Sequence, residues 1–455
     1  MIVMKFGGSS VADAGCIRHV GEIVALQLSR KPVVVLSAMG DTTDHLLEAA
    51  GSALAEKSVS IEKIEALHLK TIADLNLGEE TAAEIRPLLG ELKSLLAGVS
   101  LIRELTGRTK DYLVSFGERL SVRIAAAYFR RAGMNARAMD AWDIGFVSDS
   151  NYTAAELGKE SWDLVPRQLG PLLEQGVLPV VTGFIAKDAQ GSITTLGRGG
   201  SDRSATIIAA AMGAEEAQVW KDVDGILTAD PRLVADARPV ELVTYEEAAE
   251  LAYFGAQVLH PRAMQPCLKT NIPVLVKNSY NPGAPGTRIV ASLPEKPVLP
   301  VRALTSRGNI TLIDIASTRM VGQAGFLGGV FSVFARHGVS VDVVATSEVS
   351  ISLTLDTAND LGALKEDLAR IARVEIKTGK AIVTIIGDVS RSSEILRRAF
   401  GTCADLGVQV QMVSQGASKV NISFIVDDTQ AARVVRELHK NFFGKGGEKM
   451  QGERS

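Results

Sequence analysis

From residue 1 to about 290, short apolar runs of strand length alternate with stretches of helical spacing. Apolar runs at 2–6, 33–36, 177–181, 218–220 and 272–276 predict strands, each followed by glycine or polar positions. Helical spacing over 120–129 and 205–212 predicts helices between them. Thr244-Tyr245-Glu246-Glu247 has capping-box form ahead of a helix running toward Phe254. Strands alternating with helices, several apolar throughout, predict an α/β fold with a mainly parallel, buried sheet.

Between 280 and 300 the pattern breaks. Asn281-Pro282-Gly283-Ala284-Pro285-Gly286 and Pro294, Pro297 and Pro300 crowd helix breakers together and mark a domain boundary near 290. Beyond it, one order of elements occurs twice at a period of about 70 residues. Strands over 310–315, 339–344, 349–355 and 374–377, with helices over 326–336 and 361–372, form the first copy. Strands over 381–386, 408–413 and 421–426, with helices over 393–400 and 430–443, form the second. This is the ferredoxin-like βαββαβ plan. The second copy lacks a closing strand, which the run 298–304 ahead of the first copy could supply. The expected domains are 1–290, a first module at 309–378, and a discontinuous second module of 298–305 and 380–443. The polar, glycine-rich tail 444–455 is expected to be disordered.

Composition narrows the function class. The 455 residues are 46% apolar and 22% charged, as in an ordinary soluble globular protein. Lys+Arg 49 against Asp+Glu 52 gives a net charge of −3, which argues against a nucleic-acid partner. No stretch reaches the ~18 consecutive apolar residues of a membrane span, and the N-terminus has no secretory-signal form. Cys16, Cys267 and Cys403 are odd in number and form no CxxC. A disulfide framework or structural zinc site is not expected, and a reducing cytoplasm is. The 6 histidines form no HExxH or paired ligand spacing, so no protein-held metal is expected.

Five segments carry candidate chemistry. Lys5-Phe6-Gly7-Gly8-Ser9-Ser10 brings an ammonium, a close-turning backbone and hydroxyls to the end of a strand, a combination suited to a polyphosphate. Neither GxxxxGK[ST] nor a strand-borne GxGxxG is present. Leu196-Gly197-Arg198-Gly199-Gly200-Ser201-Asp202 puts three glycines and an arginine before a helix start, an anion site by backbone and by side chain. Lys221-Asp222-Val223-Asp224-Gly225 follows a buried strand, where open α/β sheets bind ligands. Ser115-Phe116-Gly117-Glu118 offers a carboxylate for an ammonium or a helix start, and Ser37 to Thr43 follows another strand.

In this order KFGGSS, SAMGDTT, SFGE, TTLGRGGSD, KDVDGILTADPR and FGAQVLHP resemble the catalytic half of the aspartokinases, within the amino-acid kinase superfamily. GFLGGVFSVFARHGVSVDVVATSEVSISLTLD and SQGASKVNISFIV resemble their regulatory half. The likeness spans all but the tail, and no homoserine dehydrogenase domain follows the second module. The resemblance implies an αβα sandwich kinase domain and two ACT modules. It implies transfer of the ATP γ-phosphoryl, with Mg²⁺, to the β-carboxylate of L-aspartate. That is the first step toward lysine, threonine and methionine. By the same resemblance Lys5 and Asp202 are catalytic, Asp202 orienting the cations. Thr43, Glu118, Arg198 and Ser201 hold aspartate, with Glu118 on its amino group. Lys5, Gly7, Gly8, Ser9, Gly199, Gly200, Lys221, Asp222, Leu227, Arg232 and Gln257 serve the nucleotide.

Two positions depart from the family pattern. Gln257 stands where many relatives have lysine, and Lys221, where many carry threonine, would in part replace that charge. Leu227 stands where an aromatic is common. For control, the resemblance implies a lysine-sensitive type. Met320, Gln323, Gly325, Phe326, Leu327, Asp342 and Ser347 would surround the effector, with Met320, Phe326 and Leu327 equally readable as module core. A homodimer or higher homo-oligomer through the ACT modules is expected. The competing readings are a kinase for glutamate or N-acetylglutamate and a catalytically inactive amino-acid sensor.

Overall fold

The computed structural model describes residues 1–56, 59–254, 259–294, 299–317, 324–356, 361–415 and 420–444. They group into two units. The first comprises Met1–Ile226, Glu241–Tyr245 and Val258–Leu293, and the second Leu227–Val240, Glu246–Gln257 and Pro294–Ser455.

The strands of the first unit are β1 (Ile2–Phe6), β2 (Pro32–Leu36), β3 (Ala136–Met139), β4 (Val147–Ser148), β5 (Leu178–Thr182), β6 (Ile185–Asp188), β7 (Ile193–Thr195), β8 (Ala217–Lys221), β9 (Leu242–Thr244), β10 (Val274–Asn278) and β11 (Thr287–Val290). Eight of them form one sheet in the order β3-β5-β2-β1-β8-β10-β11-β9, and β4, β6 and β7 form a second. In the large sheet every pairing is parallel except β10 with β11. All residues of β1, β2 and β5 are buried, as the apolar runs predict.

Period-two alternation gives the two faces of β1 different tasks. Ile2, Met4 and Phe6 join the core containing Leu36 of β2 with Ile17 of helix Ala14–Ala25 and Phe116 and Phe129 of helix Gly107–Arg131. Val3 and Lys5 point the other way, and helix Gly200–Met212 packs against β1. Lys5 therefore enters the fold inside a buried strand, with its side chain directed away from the main apolar core.

The second unit contains β12 (Val301–Ala316), β13 (Val344–Thr346), β14 (Ser350–Asp356), β15 (Arg373–Gly387), β16 (Met412–Ser414) and β17 (Asn421–Asp427). They form one antiparallel sheet in the order β13-β14-β12-β15-β17-β16. Helices Phe326–Arg336 and Asp428–Phe443 lie where the sequence places them.

Three expectations are corrected here. Residues 301–305 of the expected run and the strand from 309 are not separate: both belong to β12, and 374–377 and 381–386 likewise fuse in β15. The fused strands pair along both modules, with irregular register between Arg307 and Ile310. Positive φ at Asn309 (57°) and Gly379 (66°) absorbs the bend, which in sequence reads as a break. Second, the strand expected from 339 begins only at Val344, because Val339 and Val341 pack on the module core instead of pairing. Third, the single boundary at 290 is too simple. Ala229 and Val234 share a core with Val301, Val383 and Phe442, and Phe254 shares one with Ile310, Ile382 and Ile425. Apolar burial thus draws 227–240 and 246–257 into the second unit. Val298 and tail residues 445–455 lie outside the described residues.

Candidate active site

The chain passes from β1 to β2 on one side and later returns to β8 on the other side of β1. Such a reversal opens a crevice beyond the carboxyl ends of the strands. Three of the sequence-predicted segments leave β1, β2 and β8 at that edge. A cavity of about 740 Å³ lies there, lined by Lys5, Gly8, Thr43, Glu118, Arg198 and Asp202 among others. Gly199, Gly200 and Ser201 line it too.

Two of its lining residues, Lys5 and Asp202, belong to a group of three paired charges that Lys221 completes. Lys5 Nζ lies 2.5 Å from Asp202 Oδ1, and Lys221 Nζ 3.2 Å from Asp202 Oδ2. Lys5 is 6% and Asp202 5% exposed, so neither charge has much water to rely on. Burial pushes the Asp202 carboxyl up, but the charges and hydrogen bonds of Lys5 and Lys221 outweigh it and hold it below the usual carboxylate range. Asp202 lies in the first turn of helix Gly200–Met212, where the helix dipole also favours its charge.

Glu118 contrasts with it. It sits within helix Gly107–Arg131, is 3% exposed, and accepts one hydrogen bond, from Ala38 N–H at 3.2 Å. Its Oε2 has no hydrogen-bond partner among the described residues. Burial pushes the carboxyl up to about 8, against smaller opposing effects of its own backbone N–H, the Ala38 N–H and the Lys5 charge. A buried carboxyl with one oxygen unsatisfied is set up to receive a cation or donor from the cavity.

Two glycines are required by geometry. A Cβ on Gly8 would stand 2.9 Å from the Ala38 carbonyl oxygen, so only glycine lets the loops after β1 and β2 touch. Gly199 has φ +72°, and a Cβ there would stand 2.9 Å from His260 Cβ. His260 Nδ1 accepts from Arg262 N–H and caps helix Pro261–Thr270. Burial, then the charges of Arg262 and Arg198, lower its pKa. The histidine of FGAQVLHP therefore buttresses the glycine-rich loop.

The other candidates divide. Gly7 donates to the Trp220 carbonyl at 3.4 Å, Ser9 is exposed beside Gly8, and Asp222 is exposed beside Lys221. Leu227 and Arg232 fall in the second unit, where Arg232 pairs with Asp230 at 2.6 Å and its side chain is 86% exposed. Gln257 lies outside the described residues. Sequence reasoning missed Asp111, Thr153, Phe184 and Thr195, which also line the cavity. Asp111 was within reach of it: it precedes Glu118 by seven residues, two helical turns, on the same face.

The sequence profile of the amino acid kinase family matches residues 1–278, and that of the ACT domain residues 383–442. Aspartokinase 1, chloroplastic, of Arabidopsis thaliana is 48% identical over 98% of this chain and 80% of its own. The chain belongs to the aspartokinases. Lysine-sensitive aspartokinase 3 of Escherichia coli is 34% identical over 97% of this chain and 99% of its own. The crystal structure of E. coli aspartokinase III in complex with aspartate and ADP superposes with a TM-score of 0.80, at 34% identity, covering 97% of this chain and 100% of that one. The activity is therefore that of an ATP-dependent aspartate kinase, and its ACT region subjects it to allosteric control.

In this aspartokinase the regulatory candidates are partly described. Gly325, at φ +86°, precedes helix Phe326–Arg336. Phe326 is buried with Ile313, Val330 and Leu353, so it is module core, while Leu327 is 40% exposed. The Asp342 side chain is 7% exposed. Its Oδ1 accepts from the Tyr253 hydroxyl at 2.7 Å, and its Oδ2, which accepts no hydrogen bond among the described residues, forms an ion pair with Arg307 Nη1 at 4.0 Å. Ser347 bonds Ser350 Oγ at 2.7 Å within its turn. Met320 and Gln323 lie outside the described residues. Among the described residues no helix is long and apolar enough to cross a membrane.

Proposed function

We propose that the cavity grips L-aspartate by its ammonium at Glu118 and a carboxylate at Arg198, with Thr43 and Ser201 completing the site. Lys5, Gly7, Gly8, Ser9, Gly199, Gly200, Lys221 and Asp222 face the ATP phosphates. Leu227, Arg232 and Gln257 keep the nucleotide-side role that the family resemblance implies. The observation that carries this reading is the buried Glu118, with Oε2 unsatisfied among the described residues, in the same cavity as Arg198 and the Lys5–Asp202 pair that Lys221 joins.

The chemistry suits these residue types. A β-carboxylate oxygen of aspartate attacks the γ-phosphorus, and the bond from that phosphorus to the bridging oxygen of ADP breaks. The carboxylate is already ionised near neutral pH, so no general base is needed. What the reaction asks of the protein is alignment and charge neutralisation. Lys5 supplies charge to the transferring phosphoryl, and Asp202 fixes Lys5 and Lys221 in place. Mg²⁺ would be carried by phosphate oxygens and water, since both oxygens of Asp202 are engaged by lysines and no other cluster of ligand type occurs among the described residues. Bound so, it would add charge neutralisation on the phosphates.

Lysine is the proposed effector. The E. coli relative is named lysine-sensitive, and Asp342, whose Oδ2 accepts no hydrogen bond among the described residues and has only Arg307 at 4.0 Å as a charged partner, offers a carboxylate to an ammonium. The remaining regulatory candidates, Met320, Gln323, Gly325, Leu327 and Ser347, would frame it. Exposed Leu327, Phe331 and Val344 suit pairing of ACT modules between copies of the chain. Free Cys16, Cys267 and Cys403 suit a reducing compartment. The test is ATP-dependent formation of aspartyl hydroxamate by the purified chain, with and without lysine. Activity that lysine suppresses is expected. Activity with glutamate but not aspartate would sink the substrate assignment, and activity indifferent to lysine would sink the effector.

A further inference from the structure

Helix Gly107–Arg131 carries two buried carboxyls on one face, Glu118 and Asp111. Asp111 is 1% exposed and lines the same cavity. Its Oδ2 accepts from Thr153 N–H at 2.8 Å and Thr195 N–H at 2.9 Å, and its Oδ1 accepts from the Thr195 hydroxyl at 2.8 Å. Burial pushes this carboxyl up, and the three donors oppose that.

The two segments it holds are far apart in sequence but packed together. Ala155 N–H donates to the Thr195 carbonyl at 2.8 Å. A Cβ on Gly197, whose φ is +73°, would stand 3.2 Å from the Thr153 carbonyl oxygen. Arg198 follows Thr195 by three residues. Thr153, Thr195 and the Arg198 loop thus form one packed piece. Asp111 attaches that piece to the helix that carries Glu118.

We infer that Asp111 is a positioning residue for the phosphoryl acceptor. By clamping Thr153 and Thr195 it fixes the spacing between Glu118 and Arg198. It thereby fits the cavity to a small acid bearing both an ammonium and a carboxylate. The inference rests on the reading that Glu118 and Arg198 grip aspartate. Asp111 itself touches no reacting atom, and its loss acts through the loop.

Three variants test it: Asp111→Ala, Asp111→Asn and Thr195→Val. Alanine removes all three acceptor contacts. Asparagine keeps an oxygen for the two backbone N–H groups, and its amide N–H meets a Thr195 hydroxyl that can rotate to accept. Valine removes only the hydroxyl contact. The expected KM for aspartate rises about 30-fold or more in Asp111→Ala, a few-fold in Thr195→Val and less than about threefold in Asp111→Asn, since roughly one hydrogen bond separates the steps. The KM for ATP should stay within about twofold throughout. A parallel rise in both KM values, or equal damage by asparagine and alanine, would overturn the clamp. Amide exchange in the ligand-free enzyme separates the two layers of the argument. Faster exchange at Thr153 and Thr195 in Asp111→Ala is expected, and unchanged exchange refutes the clamp. Faster exchange with an unchanged aspartate KM keeps the clamp, refutes the grip by Glu118 and Arg198, and takes the inference with it. If Asp111→Ala does not fold, the graded order of the other two variants decides.

Discussion

Replacing Glu118 by glutamine should move stability and substrate affinity in opposite directions. The Glu118 carboxyl has a pKa of 4.5 at its ordinary value and about 8 in the fold, raised by burial. A proton is therefore held more tightly in the folded than in the unfolded chain between those values. The stability contributed by the protonated group is complete below about pH 4.5 and is lost as pH rises through about 8. Each pH unit in that window is worth about 1.4 kcal/mol, so roughly 3 kcal/mol disappears between pH 6 and pH 8. Glutamine cannot ionise. Its oxygen can keep the Ala38 N–H, while its amide nitrogen, in place of Oε2, carries a desolvation cost of about 1–3 kcal/mol that is the same at every pH. The difference in stability between variant and wild type should thus climb by about 3 kcal/mol in favour of glutamine from pH 6 to pH 8, whatever the constant offset. For a domain of this size that is a relative gain of roughly 6–10 °C in melting temperature. Aspartate binding should respond with the other sign. Its ammonium calls for the carboxylate form, so binding releases a proton below about pH 8, and wild-type affinity should rise with pH up to that point. The variant should bind aspartate at least 30-fold more weakly, a buried charged contact being worth about 2 kcal/mol or more, and should lose that pH slope. Melting curves across pH 6–9 on ligand-free protein, paired with aspartate KM over the same range, make the measurement. Parallel melting profiles for the two proteins, or a variant whose aspartate KM keeps the wild-type pH slope, would refute the reasoning.

Lys5→Ala removes the buried ammonium 2.5 Å from Asp202 and should cut turnover by about 10²–10³ while leaving calorimetric binding of lysine intact. Survival of most of the turnover would end the catalytic role of Lys5. Gly199→Ala forces φ +72° on a side chain and drives its Cβ against His260, so a loss of more than about 1 kcal/mol of stability and a raised aspartate KM are expected in urea titrations and steady-state assays. An unchanged KM would separate Arg198 from its loop. Asp342→Asn should raise the lysine concentration for half-inhibition at least tenfold with kcat unchanged, which inhibition curves at fixed aspartate read directly. Undiminished inhibition would remove Asp342 from the effector site.

Legibility in the sequence followed the physics of each feature. The strands β1, β2, β5 and β8 were readable because a sheet covered on both faces needs near-continuous apolar runs, and few other elements produce them. Helix Phe326–Arg336 was readable to the residue because Gly325 caps it in a left-handed conformation. The fusion of two strands into β12 was not, since a bend at Gly308-Asn309 looks locally like a turn and only cross-strand pairing keeps it extended. The capture of 227–240 and 246–257 by the second unit was hidden for a similar reason: their apolar residues declare burial but not against which core. In the site, Lys5, Arg198 and Asp202 stood out because each lies in a glycine-rich segment at a strand end or helix start, whereas Glu118 read equally as a helix-start carboxylate and took its role only from the family resemblance. Asp111 did not: its helical spacing from Glu118 puts both on one face, but two of its three donors are backbone N–H groups, which leave no mark in sequence.

The opposite states of Glu118 and Asp202 follow from their neighbours. Both are almost fully buried, yet Asp202 has two ammonium groups within 3.2 Å and stays ionised, while Glu118 has one backbone N–H and holds its proton. With Glu118 neutral, the basic side chains lining the cavity, Lys5, Lys110 and Arg198, outnumber the carboxyls of Asp111 and Asp202, so the cavity carries a net positive charge before substrate enters. That field favours the polyphosphate of ATP and the two carboxylates of the acceptor. It would repel the acceptor's ammonium if Glu118 stayed neutral. On the proposed grip, binding of that ammonium is what draws the carboxylate out of its protonated state. The carboxyl thus ionises only where its cation arrives, and an acid without an ammonium leaves it neutral. On that proposal, recognition of an amino acid over a plain dicarboxylic acid is built into the depth at which Glu118 is buried.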